Sequence, residues 1–149
     1  RDGLRPALVW GRPAERCALP DSRDHFLFTE TVAGIIEQGE HGEEAVRRRA
    51  ADEALEEAGY RVAPESIVLL GAGFPSPGMT SERFVFAAAE VCEADNAGAP
   101  EGDGSPMEEG AVIWWTELDE AIAMCLRGEI EDLKTEVVLR RLKDRLGSL

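Results

Sequence analysis

The chain has 149 residues, and 30 Asp and Glu against 16 Lys and Arg leave a formal net charge of −14. Such an excess of acid repels polyanions, which argues against nucleic acid and anionic membrane surfaces as partners. At 44% hydrophobic and 31% charged, however, the composition is that of a globular domain and not of an acidic disordered tail. The length suits one domain, residues 1–149, with a core of its own. No apolar run approaches the roughly 20 residues of a bilayer span. No basic-then-apolar opening marks a signal peptide, so a cytoplasmic location is expected. The chain opens at Arg1 and not at Met, which leaves room for a missing N-terminal segment. Cys17, Cys92 and Cys125 are odd in number and widely spaced, the pattern of ordinary reduced thiols.

In chain order, Pro6–Trp10 and Phe26–Ala33 read as strands, being short and rich in Val, Phe and Trp. Glu43–Ala58 is Ala-rich, strongly charged and predicted helical. Strands follow at Ile67–Gly73 and Arg83–Val91. The next stretch, Cys92 to Gly110, has no basic and no aromatic residue and repeated Gly and Pro, the mark of a mobile surface loop. A strand at Ala111–Thr116 leads to a helix at Leu118–Arg127, with Thr116 and Asp119 as a capping pair and Gly128 as its stop. The last helix, Thr135–Leu146, sets Val138, Leu142 and Leu146 on one buried stripe. These elements describe an α/β domain, a mixed sheet covered by helices.

The densest chemistry lies between Glu40 and Tyr60. On a helix, Ala50, Ala51, Ala54, Leu55 and Ala58 fall in one band about 140° wide, small enough to lie close against a sheet. Glu53 and Glu57 project together from an adjoining face, with Glu56 beside them. Two readings stand at this point. One is a solvated face, in which Arg47, Arg48 and Arg49 pair with Glu43, Glu44 and Glu53. The other is a site for a hard divalent cation, Mg²⁺ above all, which takes few carboxylates and leaves positions for phosphate. Context favours the second: Gly59 closes the helix as a C-cap glycine, and Gly34 and Gly39 give the upstream loop the freedom to turn backbone carbonyls toward an ion.

The spacing Gly34, five residues, Glu40, then Glu53-Ala54-Leu55-Glu56-Glu57-Ala58-Gly59-Tyr60 resembles the box of the Nudix hydrolases. Twelve residues separate Glu40 from Glu53 where the family has eight, and Asp52 stands where the family has Arg. An insertion of four advances a helix by about 400°, some 40° past a full turn, which makes Arg48, one turn early, the candidate for the displaced arginine. The run Phe74 to Arg83, F-P-S-P-G-M-T-S-E-R, is similar to a run in the ADP-ribose pyrophosphatases, as are the residues from Leu118 to Thr135.

The resemblance implies the Nudix fold, a mixed sheet between helices, and Mg²⁺- or Mn²⁺-dependent hydrolysis of the diphosphate bond of ADP-ribose. It implies Glu53 and Glu57 as metal ligands, with Glu56 assisting and the backbone carbonyl of Ala33 filling another position. It also implies a general base from the loop before the last strand, Glu109 first and Glu108 second. Arg12, Pro77, Gly78 and Glu82 are the matching candidates for substrate contact, Trp114 and Trp115 are assigned to the core and an interface, and a homodimer is the expected assembly. Two alternatives remain: a UDP- or GDP-sugar as substrate, and a nucleotide-binding or regulatory domain that has lost turnover.

Overall fold

The computed structural model describes residues 7–10, 28–100 and 112–148. Its strands are β1 (Ala7–Trp10), β2 (Thr29–Thr31), β3 (Val68–Gly73), β4 (Phe84–Ala88) and β5 (Val112–Trp115). Its helices are α1 (Gly42–Glu56), α2 (Leu118–Arg127) and α3 (Leu133–Gly147). Single helical turns of the tighter 3₁₀ kind occupy Pro64–Ser66 and Glu93–Asp95.

Two sheets form among the described residues. One has the order β2-β1-β5, with Leu8 opposite Thr31 on one side and opposite Trp114 on the other. The second is the β3–β4 hairpin, whose register shifts between Leu69 and Gly71. Every pairing described is antiparallel, so the parallel pairing that a mixed sheet requires is not among these strands. The α/β character holds, with helices α3 against β2, β3 and β4, α2 against α3, and α1 against β4. Because α3 touches strands of both sheets, it is the element that ties them together.

The reason lies in its sequence. Thr135 and Leu139, four apart and hence on one face, are the two most deeply buried large side chains, 0% and 1% exposed. Leu139 joins Ala121, Ile122 and Ile130 in the core cluster, with Trp114, Leu118, Met124 and Cys125 packed around it. The expected stripe of Val138, Leu142 and Leu146 is half-buried and flanks this line. The deepest positions include a threonine, which apolar patterning passes over; its hydroxyl is satisfied internally, as a buried polar group requires.

Helix α2 ends as expected at Gly128, whose φ of 72° is left-handed. Its start differs: Glu117 is the N-cap and no side chain caps it, so the Thr116 and Asp119 pair does not form. Gly98 and Gly59 replace part of the expected mobile loop with a docked segment. The Ala97 N–H donates to the Gly59 carbonyl at 2.8 Å, the Arg61 N–H donates to the Asp95 carbonyl at 2.8 Å, and Tyr60 bridges to Asn96. A Cβ on Gly59 would collide with the Gly98 carbonyl, so this approach needs glycine. None of the described helices is long and apolar enough to cross a membrane.

Candidate metal centre

Helix α1 is short of intrinsic apolar drive but rich in small residues. Ala45 and Ala51, with Ala58 just beyond its end, are buried, while Ala50, Ala54 and Leu55 are half-buried. The helix closes with the Gly59 N–H donating to the Leu55 carbonyl at 3.0 Å and the Tyr60 N–H to the Ala54 carbonyl at 3.0 Å. Gly59 sits at φ 72°, a left-handed cap. Tyr60 then stacks edge-on against Trp115, ring centres 5.4 Å apart, so the end of α1 is pinned to β5. Trp114 packs against the core cluster, consistent with a structural part for both tryptophans.

With that end fixed, Glu53 and Glu57 face the loop that leaves β2. The Ala33 N–H donates to Glu57 Oε2 at 3.1 Å. A Cβ built on Gly34 would fall on the Glu53 carboxylate, so only glycine there lets that carboxylate lie so near the backbone. The structure therefore brings together Gly34, Glu53 and Glu57 of the box pattern and Ala33 just before it, from two segments. It is the amide of Ala33, and not its carbonyl, that meets Glu57. Glu56, beside Glu53 and Glu57 on the helix, is exposed. Among the described residues no group of three or more His, Cys, Asp and Glu converges as a metal cage. Carboxylate oxygens beside an exposed peptide are hard donors of the kind a divalent cation takes.

Glu40, the middle glutamate of the pattern, closes the loop. Its Oε2 accepts from the Glu37 N–H at 2.8 Å and pairs with Arg49 Nη2 at 3.1 Å, and the turn between passes through Gly39 at φ 100°. The Glu37 N–H and Arg49 together hold the Glu40 carboxyl below its ordinary value. Arg49 is correspondingly raised by Glu40, with Glu53 and Glu37 adding to the field. Its Nε is buried with no hydrogen-bond partner among the described residues. Of the two arginines, Arg49 is the one that pairs with Glu40, while Arg48 is exposed. In the sequence Arg49 is four residues before Glu53 and on its face of the helix. Arg47 pairs with Glu43 at 3.6 Å, as expected of a surface pairing, and donates to the Ile67 carbonyl.

The remaining candidates separate. Pro77, Gly78 and Glu82 are exposed in the β3–β4 connection, where the Met79 and Thr80 N–H groups close a turn on the Ser76 carbonyl at 2.9 and 3.0 Å, and the Glu82 N–H donates to Thr80 Oγ1 at 3.1 Å. Arg12, Glu108 and Glu109 lie outside the described residues, as does Cys17. Cys92 and Cys125 are free thiols; burial, the largest influence, raises the Cys125 thiol.

No family model matches the chain. A GDP-mannose pyrophosphatase of Citrobacter koseri is 34% identical over 113 residues, 76% of this chain and 54% of that protein. The match supports a place for the chain in the Nudix superfamily. The chain spans about half the length of that relative.

Proposed function

We propose that the protein hydrolyses the diphosphate bond of a nucleoside diphosphate sugar, with ADP-ribose the first candidate and a GDP-sugar the second, releasing a nucleoside monophosphate and a sugar phosphate. The observation that carries this reading is the meeting of Glu53 and Glu57 with the exposed Ala33–Gly34 peptide. The likeness of residues 74–83 to ADP-ribose pyrophosphatases favours the first substrate, and the name of the Citrobacter koseri relative favours the second.

The donor set fits Mg²⁺ or Mn²⁺: hard carboxylate oxygens, few in number, on a solvent-facing edge. Glu53 and Glu57 would hold the ion, the Ala33 carbonyl would complete the protein's share, and exposed Glu56 would add charge beside it. When bound, such an ion neutralises the diphosphate oxygens and acidifies the attacking water. The chain's own part is to orient and to accept a proton. Glu40 and Arg49 hold the loop that presents Ala33 and Gly34. Glu109, or Glu108 beside it, takes the proton from water. Arg12, Pro77, Gly78 and Glu82 contact the substrate, and two copies form a homodimer.

The test is a hydrolysis panel of ADP-ribose, GDP-mannose and UDP-glucose after chelation, with and without added Mg²⁺, reading nucleoside monophosphate. Metal-dependent release from ADP-ribose or GDP-mannose supports the proposal, and a clear preference for UDP-glucose overturns the substrate choice. Calorimetric binding of a nucleotide with no product from any of the three substrates overturns the enzyme reading. Glu57→Gln is expected to lower turnover by about a hundredfold or more, as loss of a charge-stabilising contact does; activity within about threefold of the unaltered protein contradicts the metal assignment.

A further inference from the structure

Where β2 meets α3, at the start of the loop that carries Ala33 and Gly34, lies a polar network that the box pattern does not include. Strand β2 ends at Thr31, and β2 is an edge strand among the described residues. The Thr31 N–H donates to Thr135 Oγ1 at 2.9 Å, across 104 residues of sequence, so a hydroxyl of α3 stands where a neighbouring strand's carbonyl would. Thr135 is 0% exposed. Its own hydroxyl proton goes to Asp132 Oδ2 at 2.8 Å, and the same oxygen accepts the Thr135 N–H at 2.9 Å as the N-cap of α3. Asp132 is held in turn by Lys134, whose Nζ lies 2.8 Å from Asp132 Oδ1 and 3.3 Å from Glu30 Oε2 on β2. The donors run one way, from the Thr31 amide to the hydroxyl to the carboxylate, and hydrogen bonds aligned in this manner strengthen each other.

Two residues beyond Thr31, within about 7 Å of extended chain, is Ala33, whose amide meets Glu57. We propose that Thr135, anchored by Asp132, is a positioning residue for the metal loop: it fixes the end of β2 and thereby places the Ala33 peptide against Glu57. This rests on reading Ala33, Glu53 and Glu57 as the metal site. Thr135 touches no substrate; it acts through the backbone of residues 31–33. Within the loop itself Ala33 and Gly34 are exposed, so burial of their own side chains cannot fix that peptide.

The test compares Thr135→Val, which keeps the shape and removes the hydroxyl, with Thr135→Ser, which keeps the hydroxyl, in ¹⁵N-labelled full chain. Two readouts apart from activity are taken: amide exchange at Thr31 and Ala33, and calorimetric affinity for Mn²⁺ alone. Thr135→Val is expected to exchange faster at both amides and to bind Mn²⁺ roughly tenfold more weakly, the lower end of what loss of an outer partner costs a metal site. Thr135→Ser should restore both. If Thr135→Val does not fold, Asp132→Asn, which still caps α3 but weakens the anchor on the hydroxyl, should show the same faster exchange at Ala33. A folded Thr135→Val with unaltered Ala33 exchange overturns the proposal, as does equal damage from Thr135→Ser, which would make packing the cause. If Glu57→Gln binds Mn²⁺ as well as the unaltered protein, the metal reading fails, and Ala33 exchange alone then decides the positioning claim.

Discussion

Gly34→Ala separates the chemistry of the metal loop from its folding. The φ of Gly34 lies outside the left-handed region, so an alanine meets no backbone strain there. It also narrows the unfolded ensemble, which stabilises by about 0.4–1 kcal/mol at a compatible position. Opposing this, the new Cβ lands on the Glu53 carboxylate and on the carbons behind it. The obstacle is the far end of a flexible side chain, which yields by leaving its preferred rotamer at about 0.5–1.5 kcal/mol. The two contributions nearly cancel, and the net change in stability is within about 1 kcal/mol, or roughly 2–4 °C in Tm for a chain of this size. Activity has no such cancellation. Displacing Glu53 by about an ångström is expected to lower kcat/KM about a hundredfold. Metal-dependent diphosphate hydrolysis and thermal unfolding, measured on the same preparation, give the answer. Normal kcat/KM in a folded Gly34→Ala protein refutes a working role for Glu53 at that position. A Tm loss beyond about 5 °C refutes the energy balance instead.

Arg49→Ala should lower kcat/KM about tenfold, because the carboxylate of Glu40 loses the partner that closes the loop, whereas Arg48→Ala, at an exposed position, should stay within about twofold; equal effects in steady-state assays would return the role to neither. The Asp132 carboxyl has a pH signature. Burial, the largest single influence, raises it, but bonds from Lys134 and Thr135 together outweigh burial and hold it below its ordinary 3.8. A depressed carboxyl contributes stability above its unfolded value and loses that contribution as pH falls through the folded one. Denaturant unfolding of Asp132→Asn against the unaltered protein should therefore show a full gap above about pH 5, shrinking on the acid side. A gap that widens toward low pH would contradict the ion-paired assignment.

Much of the fold was legible because periodicity and punctuation carry it. The strands near residues 7–10, 68–73, 84–88 and 112–115 and the bounds of α2 all follow from short branched or aromatic runs and from Gly128. Strand β2 is the exception: residues 26–33 read as one strand, and among its described residues Thr29–Thr31 pair with β1. Beyond Thr31 the backbone leaves the ladder for the metal loop, and nothing in apolar patterning marks that departure. Residues 92–98 were misread for the opposite reason. Their Gly and acidic content describes a solvated loop, yet Gly59 and Gly98, lacking side chains, let two backbones touch, and backbone contacts leave little trace in composition.

The site divides along the same line. Glu53 and Glu57 could be paired from one helix, since spacing alone sets their face. Gly34 is legible as a loop glycine, but Ala33 is marked only by the resemblance, because a loop has no period from which to compute direction. The arginine shows how narrow the margin is. Judged by closeness to the azimuth of Asp52, Arg48 wins by about 40° against about 60° for Arg49. Yet the cation answers to the charges it faces, which are Glu40 and Glu53 and not the residue that a family pattern happens to place next in sequence. Glu40 is reached only because Gly39 turns the loop back over the helix, and from there Arg49 is the residue within hydrogen-bond distance. The cation at the loop is therefore decided by which arginine reaches the Glu40 carboxylate, and neither spacing nor helical azimuth alone supplies that distance.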